Sequence, residues 1–375
     1  MDDGTPPAHT FAPLGDGDAE GAWSQKLQPA ASVWRDLGPV KPGRHPRGYN
    51  RGVSVPDLLV AVDGGGTRTR SAVADLDGRI LARGFGPSSN LQDLGLEAVG
   101  KALTTAIEGA LMQVPGAGWK GEGPVWQTGR LAAICFGLAG VDTREDEARL
   151  SQWVRDQGVA ARFSILNDSE LVLACGTPEG AGVALISGTG SICLGRTTDG
   201  RTARVGGWGP LMGDEGSGYQ LALRALRLAA QAADGRGDNP ALLRAALTHW
   251  SSPDAFALMQ QVYAPATTPA DIAGFAASVL DLAARGDATA GSLVDEVARE
   301  LAVHVRVVIQ KLKLTRPPLA LGGGLLRSHL RTLVMVALAA DVGPVSHVTD
   351  PVLGAITLAQ RLLKADAPPR RTNAP

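Results

Sequence analysis

Twice along this chain an apolar, β-prone run enters a glycine turn, a second run leaves it, and an Asp-Gly pair reverses the chain into a third. The first unit is Leu58–Asp63, the turn Asp63-Gly64-Gly65-Gly66-Thr67, the run Thr69–Leu76, the pair Asp77-Gly78 and the run Arg79–Gly84. The second enters at Val183, turns through Ser187-Gly188-Thr189-Gly190-Ser191, and reverses at Asp199-Gly200. An Asp-Gly pair between such runs is a tight-hairpin signal. The two glycine turns are about 120 residues apart, and so are the two Asp-Gly pairs. A repeat of this kind implies two domains built on one plan.

Helical and extended segments alternate between the two units. Leu94–Gln113 has helical periodicity, and Pro115–Thr128 is a Gly/Pro/Trp-containing loop. Leu131–Leu138 reads as a strand running into Gly137-Leu138-Ala139-Gly140. Asp142 with Glu145 suggests the capped start of a helix to about Asp156. Phe163–Asn167 is a short strand with Asp168 at its carboxyl end, and Ser169–Cys175 suits a helix. Strands alternating with helices predict an α/β architecture. Beyond Ser217 the chain turns helical over Tyr219–Ala233, Pro240–Trp250, Asp254–Val262, Pro269–Ala284 and Ala288–Lys313. A strand at Leu319–Leu321, the turn Gly322-Gly323-Gly324, a helix from Leu325, a strand near Val345–Val348 and a helix over Val352–Leu363 complete the reading.

Composition limits the partners. With 375 residues there is room for two domains and a large core. A net charge of −1 gives no electrostatic footprint for nucleic acid or a membrane surface. No run approaches the ~20 apolar residues of a membrane span, and no charged head precedes an apolar core as in a secretory signal. The three cysteines, Cys135, Cys175 and Cys193, sit in apolar surroundings, which predicts a reducing cytoplasm. Residues 1–56 are rich in Pro, Gly and Ala and read as a disordered or loosely attached arm.

The turns carry the chemistry. Gly188 and Gly190 let the backbone adopt crowded angles. Such a turn aims several N–H groups at one anion, with Ser and Thr hydroxyls as further donors. Asp63, ending a buried run beside three glycines, is a candidate for holding Mg²⁺ through water, while the turn amides and Thr67 reach phosphate oxygens. Asp168 stands where open α/β sheets place their ligands, and a carboxylate is a suitable base for a sugar hydroxyl. Asn90, after Ser88-Ser89, can hydrogen-bond a polyol, and Trp208 can stack on a ring. Asp214 and Glu215 add carboxylates in a second glycine-rich turn. Together these suggest a site where a phosphorylated ligand meets a hydroxylated one.

The residues also carry a family resemblance. D-G-G-G-T-R-T at 63–69, S-S-N at 88–90, G-L-A-G at 137–140, N-D at 167–168, I-S-G-T-G-S at 186–191, G-G-W-G-P-L-M-G-D-E-G-S at 206–217 and L-G-G-G at 321–324 resemble the N-acetylglucosamine kinase group. Its bacterial branch is the BadF/BadG/BcrA/BcrD-type ATPases, within the actin-like ATPase, sugar kinase superfamily. The resemblance spans about Leu58 to Leu363. It implies an α/β fold of duplicated RNase-H-like domains around a central cleft. The domains would be 57–177, joined by the returning helix 352–364, and 178–351 with a helical insert, before a tail at 365–375. It implies Asp168 as catalytic base, with Asn90, Gly140, Trp208 and Asp214 on an amino sugar. ATP would lie against Gly65, Thr67, Arg68, Gly188, Thr189, Gly190, Gly322 and Gly323, with Mg²⁺ organised by Asp63. A homodimer that closes on its sugar is also implied. Two departures, Ala139 where animal members carry Ser and Leu-Gln after Asn90 where they carry an aromatic, bear on which sugar is taken. Glucosamine or N-acetylmuramic acid kinase, an activator-type ATPase and a non-catalytic sugar sensor stay open as alternatives.

Overall fold

A computed structural model describes residues 57–115, 130–159 and 161–364. The readings of an arm at 1–56, of most of the loop after Pro115 and of a tail at 365–375 lie outside the described residues.

The first sheet holds β1 (Leu58–Gly64), β2 (Thr69–Asp75), β3 (Ile80–Gly86), β4 (Leu131–Leu138) and β5 (Arg162–Asn167), in the order β3-β2-β1-β4-β5. The second holds β6 (Gly182–Ser187), β7 (Ser191–Arg196), β8 (Thr202–Gly206), β9 (Leu319–Gly322) and β10 (Val345–His347), in the order β10-β9-β6-β7-β8. Read outward from β1 and from β6, the two plans coincide. Each has an antiparallel three-stranded meander on one side and parallel strands on the other. This is the duplicated α/β arrangement expected from the repeated turns.

Parallel pairing sets the site. Gly64 registers with Leu138, and Leu138 with Asn167. The carboxyl ends of β1, β4 and β5 therefore emerge on one edge and deliver Asp63, Gly140 and Asp168 to it. In the second sheet Ile186 registers with Gly322, so the turns after β6 and β9 emerge side by side. Central β1 is buried along its whole length, as strands covered on both faces are.

Helices α1 (Leu91–Leu111) and α2 (Arg144–Asp156) cover one face of the first sheet around Val60, Ile134, Phe136 and Leu150. α1 is broken at Gly95, where φ is 74°. The start of α2 differs from expectation. Thr143, not Asp142, is its N-cap, and Thr143 forms a capping box with Asp146. Replacing Thr143 by Ala is expected to cost about 1 kcal/mol, seen as a lower urea midpoint at unchanged slope.

Helix α3 (Asp168–Gly176) follows β5 but serves both halves. Leu171 and Ala174 pack in the core of the first sheet, while Val172 and Leu173 pack with Ala184, Leu194 and Ala320 of the second. Beyond β8 come α4 (Gly209–Met212), α5 (Gly218–Ala233), α6 (Pro240–His249), α7 (Ala255–Val262), α8 (Pro269–Gly274), α9 (Ala276–Ala284) and α10 (Ala288–Leu312). Together α5 to α10 supply most of the second core, including Leu221, Phe275 and Leu301. The single helix expected over Pro269–Ala284 is two, parted after Gly274. The helix expected from Leu325 is a single 3₁₀ turn, and α11 (Leu330–Leu338) begins after it. The last helix, α12 (Val352–Lys364), returns to the first sheet through Val352, Ala355 and Leu358. It seats so closely on α3 that a Cβ at Gly354 would lie 2.0 Å from the Leu171 carbonyl oxygen.

Candidate active site

A cleft of about 500 Å³ opens between the carboxyl edges of the two sheets, within the usual size of small-molecule sites. Its lining joins Asp63, Gly65, Thr67, Arg68, Asn90, Gly140 and Asp168 of the first half to Gly188, Thr189, Gly190, Asp214 and Gly323 of the second. Residues brought together here lie more than 250 positions apart in the chain. Two expected members fall outside the lining. Gly322 is buried in β9, where a Cβ would meet Val172 and Ile186. Trp208 is 53% exposed. Left-handed Gly206, Gly207 and Gly209 (φ 76°, 73° and 80°) surround it, and its Cβ rests against Gly213.

The turn after β6 is held by its neighbours. Ser187 Oγ donates to the Gly216 carbonyl (2.7 Å) and Ser191 Oγ to that of Glu215 (2.6 Å). The two serines therefore tether the Asp214-Glu215-Gly216 turn and are not spare donors to an anion, contrary to expectation. The N–H groups of Gly218 and Tyr219, at the start of α5, donate to the carbonyls of Gly188 and Thr189 (2.8 and 3.2 Å). In a planar trans peptide the next N–H points opposite its carbonyl. The Thr189 and Gly190 N–H groups thus face away from α5, on the side of the cleft they line. Gly323 (φ 94°) crosses behind this turn, and a Cβ there would lie 2.2 Å from the Ser187 carbonyl oxygen.

On the opposite wall, Asn90 caps α1, accepting from Gln92 N at Oδ1 (3.0 Å). Gly140 (φ 76°) comes so near that a Cβ would sit 2.3 Å from that same oxygen. Gly137, by contrast, gives room to Leu171 of α3 and is a packing residue. Asp214 takes a left-handed φ of 58°, and its Oδ1 accepts from Ser191 N (3.3 Å). A non-glycine residue held there stores strain, a mark of functional turns. Glu215 does not cap α5; Ser217 does, and Glu215 faces His304 Nε2 at 3.9 Å.

Five carboxylates line the cleft: Asp63, Asp93, Asp142, Asp168 and Asp214. Asp63 is 6% exposed, with Oδ2 held by Arg70 Nε (2.9 Å) and Nη2 (2.6 Å). Burial pushes its pKa up, and Arg70 opposes that. Burial likewise raises Asp214 and Asp142. Asp168 is pushed up to about 7, first by the protein crowding its carboxyl and then by the charges of Asp63 and Asp142. A carboxyl poised near neutrality in a cleft is the usual condition of a general base.

Three cationic lining residues escaped the sequence reading: Arg70, Arg204 and Arg327. The β1–β2 hairpin carries a signal for Arg70, since its register sets Arg70 directly opposite Asp63. Among the described residues, no three His, Cys, Asp or Glu side chains gather as a self-sufficient metal site. One cleft carboxylate, Asp63, still fits Mg²⁺, which keeps most of its waters and takes one or two carboxylates with phosphate oxygens. Among the described residues, no helix is long and apolar enough to cross a membrane.

Two halves of one plan, facing each other across a cleft lined by a glycine turn from each, define the actin-like ATPase fold class. The family model described as the BadF/BadG/BcrA/BcrD ATPase family matches residues 60–359. The chain belongs to this family. It is 32% identical over 273 residues to an N-acetylmuramic acid/N-acetylglucosamine kinase of Clostridium acetobutylicum, covering 72% of this chain and 86% of that protein. It is 30% identical over 314 residues to an N-acetyl-D-glucosamine kinase of Dictyostelium discoideum, covering 81% and 98%. The solved structure of a candidate N-acetylglucosamine kinase from Chromobacterium violaceum superposes with a TM-score of 0.65 at 29% identity, over 82% of this chain and all of that one.

Proposed function

We propose that this protein is an ATP-dependent amino-sugar kinase that phosphorylates N-acetylglucosamine at its 6-hydroxyl. The observation that carries the reading is Asp168, poised near pH 7 on a cleft that also presents glycine turns from both halves. Support from kinship comes from the two kinases above, both named for N-acetylglucosamine.

Each residue then has a task. Asn90, Gly140 and Asp214 orient the sugar, fixing a hydroxyl toward Asp168. Asp168 takes that hydroxyl's proton as its oxygen becomes the nucleophile. The amides of Thr189 and Gly190, the turn Gly65–Thr67 and the Arg68 guanidinium hold phosphate oxygens and spread their charge. Gly323 lies beside the nucleotide. Bound ATP with Mg²⁺ supplies the transferable phosphoryl group, with Asp63 holding the metal's water shell. Residues 57–177 with 352–364, and 178–351, act as the two domains that close on the sugar. The working form is a homodimer in the cytoplasm, a compartment that suits three free cysteines.

Cys135 lies in β4 and Cys193 in β7, in different sheets, and burial pushes the Cys135 thiol up to about 12 and raises Cys193 as well. This disfavours an activator-type ATPase, which needs converging thiolates.

The test is ADP release across N-acetylglucosamine, glucosamine, N-acetylmannosamine, N-acetylmuramic acid and glucose. N-acetylglucosamine is expected to give the highest kcat/KM, with phosphate at C6 by NMR. Chelating Mg²⁺ is expected to abolish turnover and excess Mg²⁺ to restore it. No turnover with any amino sugar would overturn the reading.

A further inference from the structure

One guanidinium joins the two halves at the cleft. Arg204 stands on β8 in the second sheet, and Asp142 in the turn after β4 in the first. Arg204 Nη1 lies 2.8 Å from an Asp142 carboxylate oxygen, the side chains being 19% and 25% exposed. The other two nitrogens turn back on their own half. Nε donates to the Gly206 carbonyl (3.3 Å) and Nη2 to that of Gly207. Each of the three nitrogens thus has a protein partner, which holds the guanidinium in one orientation.

The link continues beyond Asp142. Its Oδ1 also accepts from Asn167 Nδ2 (3.0 Å). The other end of that amide, Oδ1, accepts from Ser169 N (3.0 Å) and Ser169 Oγ (2.6 Å), capping α3. The first residue of α3 is Asp168. An unbroken series of hydrogen bonds thus runs from the Gly206-Gly207 turn, which leads into Asp214, across to the helix end that carries Asp168.

We propose that Arg204, acting through Asp142 and Asn167, is a positioning residue that aligns Asp168 with the Asp214 turn when the two halves are closed. The proposal rests on the kinase reading above. An arginine suits the task because its planar fork presents donors in fixed directions, which no other cation does. A base displaced by about 1 Å can lose on the order of 10²-fold in rate. Arg204 contacts neither sugar nor nucleotide in this account, so its loss falls on turnover and leaves nucleotide affinity in place.

The test is a double-mutant cycle of Arg204→Gln and Asp142→Asn, assayed at pH 8.5, well above neutrality, so that an altered Asp168 ionisation does not mimic misalignment. Thermal melts accompany each variant. Each single change is expected to lower kcat at least about tenfold with KM for ATP within about twofold. The double variant is expected to be no worse than the poorer single, because both cut one link. Where Arg204→Gln fails to fold, the near-isosteric Asp142→Asn carries the same test alone. Unchanged kcat in the folded singles, losses that multiply in the double, or a loss confined to KM for ATP would sink the inference while wild-type activity leaves the kinase reading intact. A wild-type protein inactive on every sugar would sink both.

Discussion

Asp168→Asn is expected to lower kcat by about 10²- to 10⁴-fold and, in the same variant, to stabilise the fold at pH 8. The two effects share a cause. In the folded chain the Asp168 carboxyl is pushed from 3.8 to about 7 by crowding and by Asp63 and Asp142. A raised acid contributes stability that is fully present below its unfolded pKa, and that stability is lost as pH rises through about 7. At pH 8 the native protein therefore carries a charged carboxylate it would hold more comfortably as a neutral group. Asparagine relieves this, by roughly 2–4 kcal/mol. The gain should be clear in melts at pH 8 and shrink toward zero near pH 4. In the wild type, kcat/KM for the sugar should climb between about pH 6 and 8 as the base ionises. An Asn variant of wild-type activity, or a flat profile across that interval, would remove Asp168 from the role.

Gly323→Ala is expected to be the most damaging methyl that can be added at the cleft. The glycine has φ 94°, and its new Cβ would stand 2.2 Å from the Ser187 carbonyl oxygen. That contact is with backbone, so no side-chain rotation relieves it. Either the end of β9 or the turn after β6 has to move. Left-handed strain and forced packing together predict a loss of about 2–5 kcal/mol, with KM for ATP raised at least about tenfold as the Thr189 and Gly190 amides shift. Gly324→Ala is the stability control. Its backbone is right-handed helical (φ −68°), and a Cβ there meets nothing within 4 Å. Indistinguishable melting temperatures for the two variants would show that the turns do not press on each other as described.

Much of this was legible from local patterns. Apolar runs ended by Asp-Gly pairs located the hairpins, and the repeat of that pattern gave two sheets of one topology. Parallel pairing then forces Asp63, Gly140 and Asp168 to one edge, so residues far apart in sequence could be grouped beforehand. What was missed depended on direction or distance. Trp208 stands among three left-handed glycines and outside the cleft lining, and composition says nothing of that. The serines of the second turn face carbonyls some 25 residues ahead, so their engagement was invisible. Asp142 looked like a helix cap because an acid near a helix start commonly is one. Its carboxylate instead meets Asn167 and, from the other sheet, Arg204. The break after Gly274 did have a signal in the glycine itself, which is costly inside a helix.

Helix α3 has a dynamic consequence. Its Leu171 and Ala174 belong to one core and its Val172 and Leu173 to the other. Drawing it away from either sheet would strip side chains into water at about 1.5–3 kcal/mol for each leucine or valine. Any relative motion of the two halves that kept both cores intact would have to pivot about this helix. Asp168, the first residue of the helix, would stay near that pivot, and the wider swing would fall to the glycine turns around it.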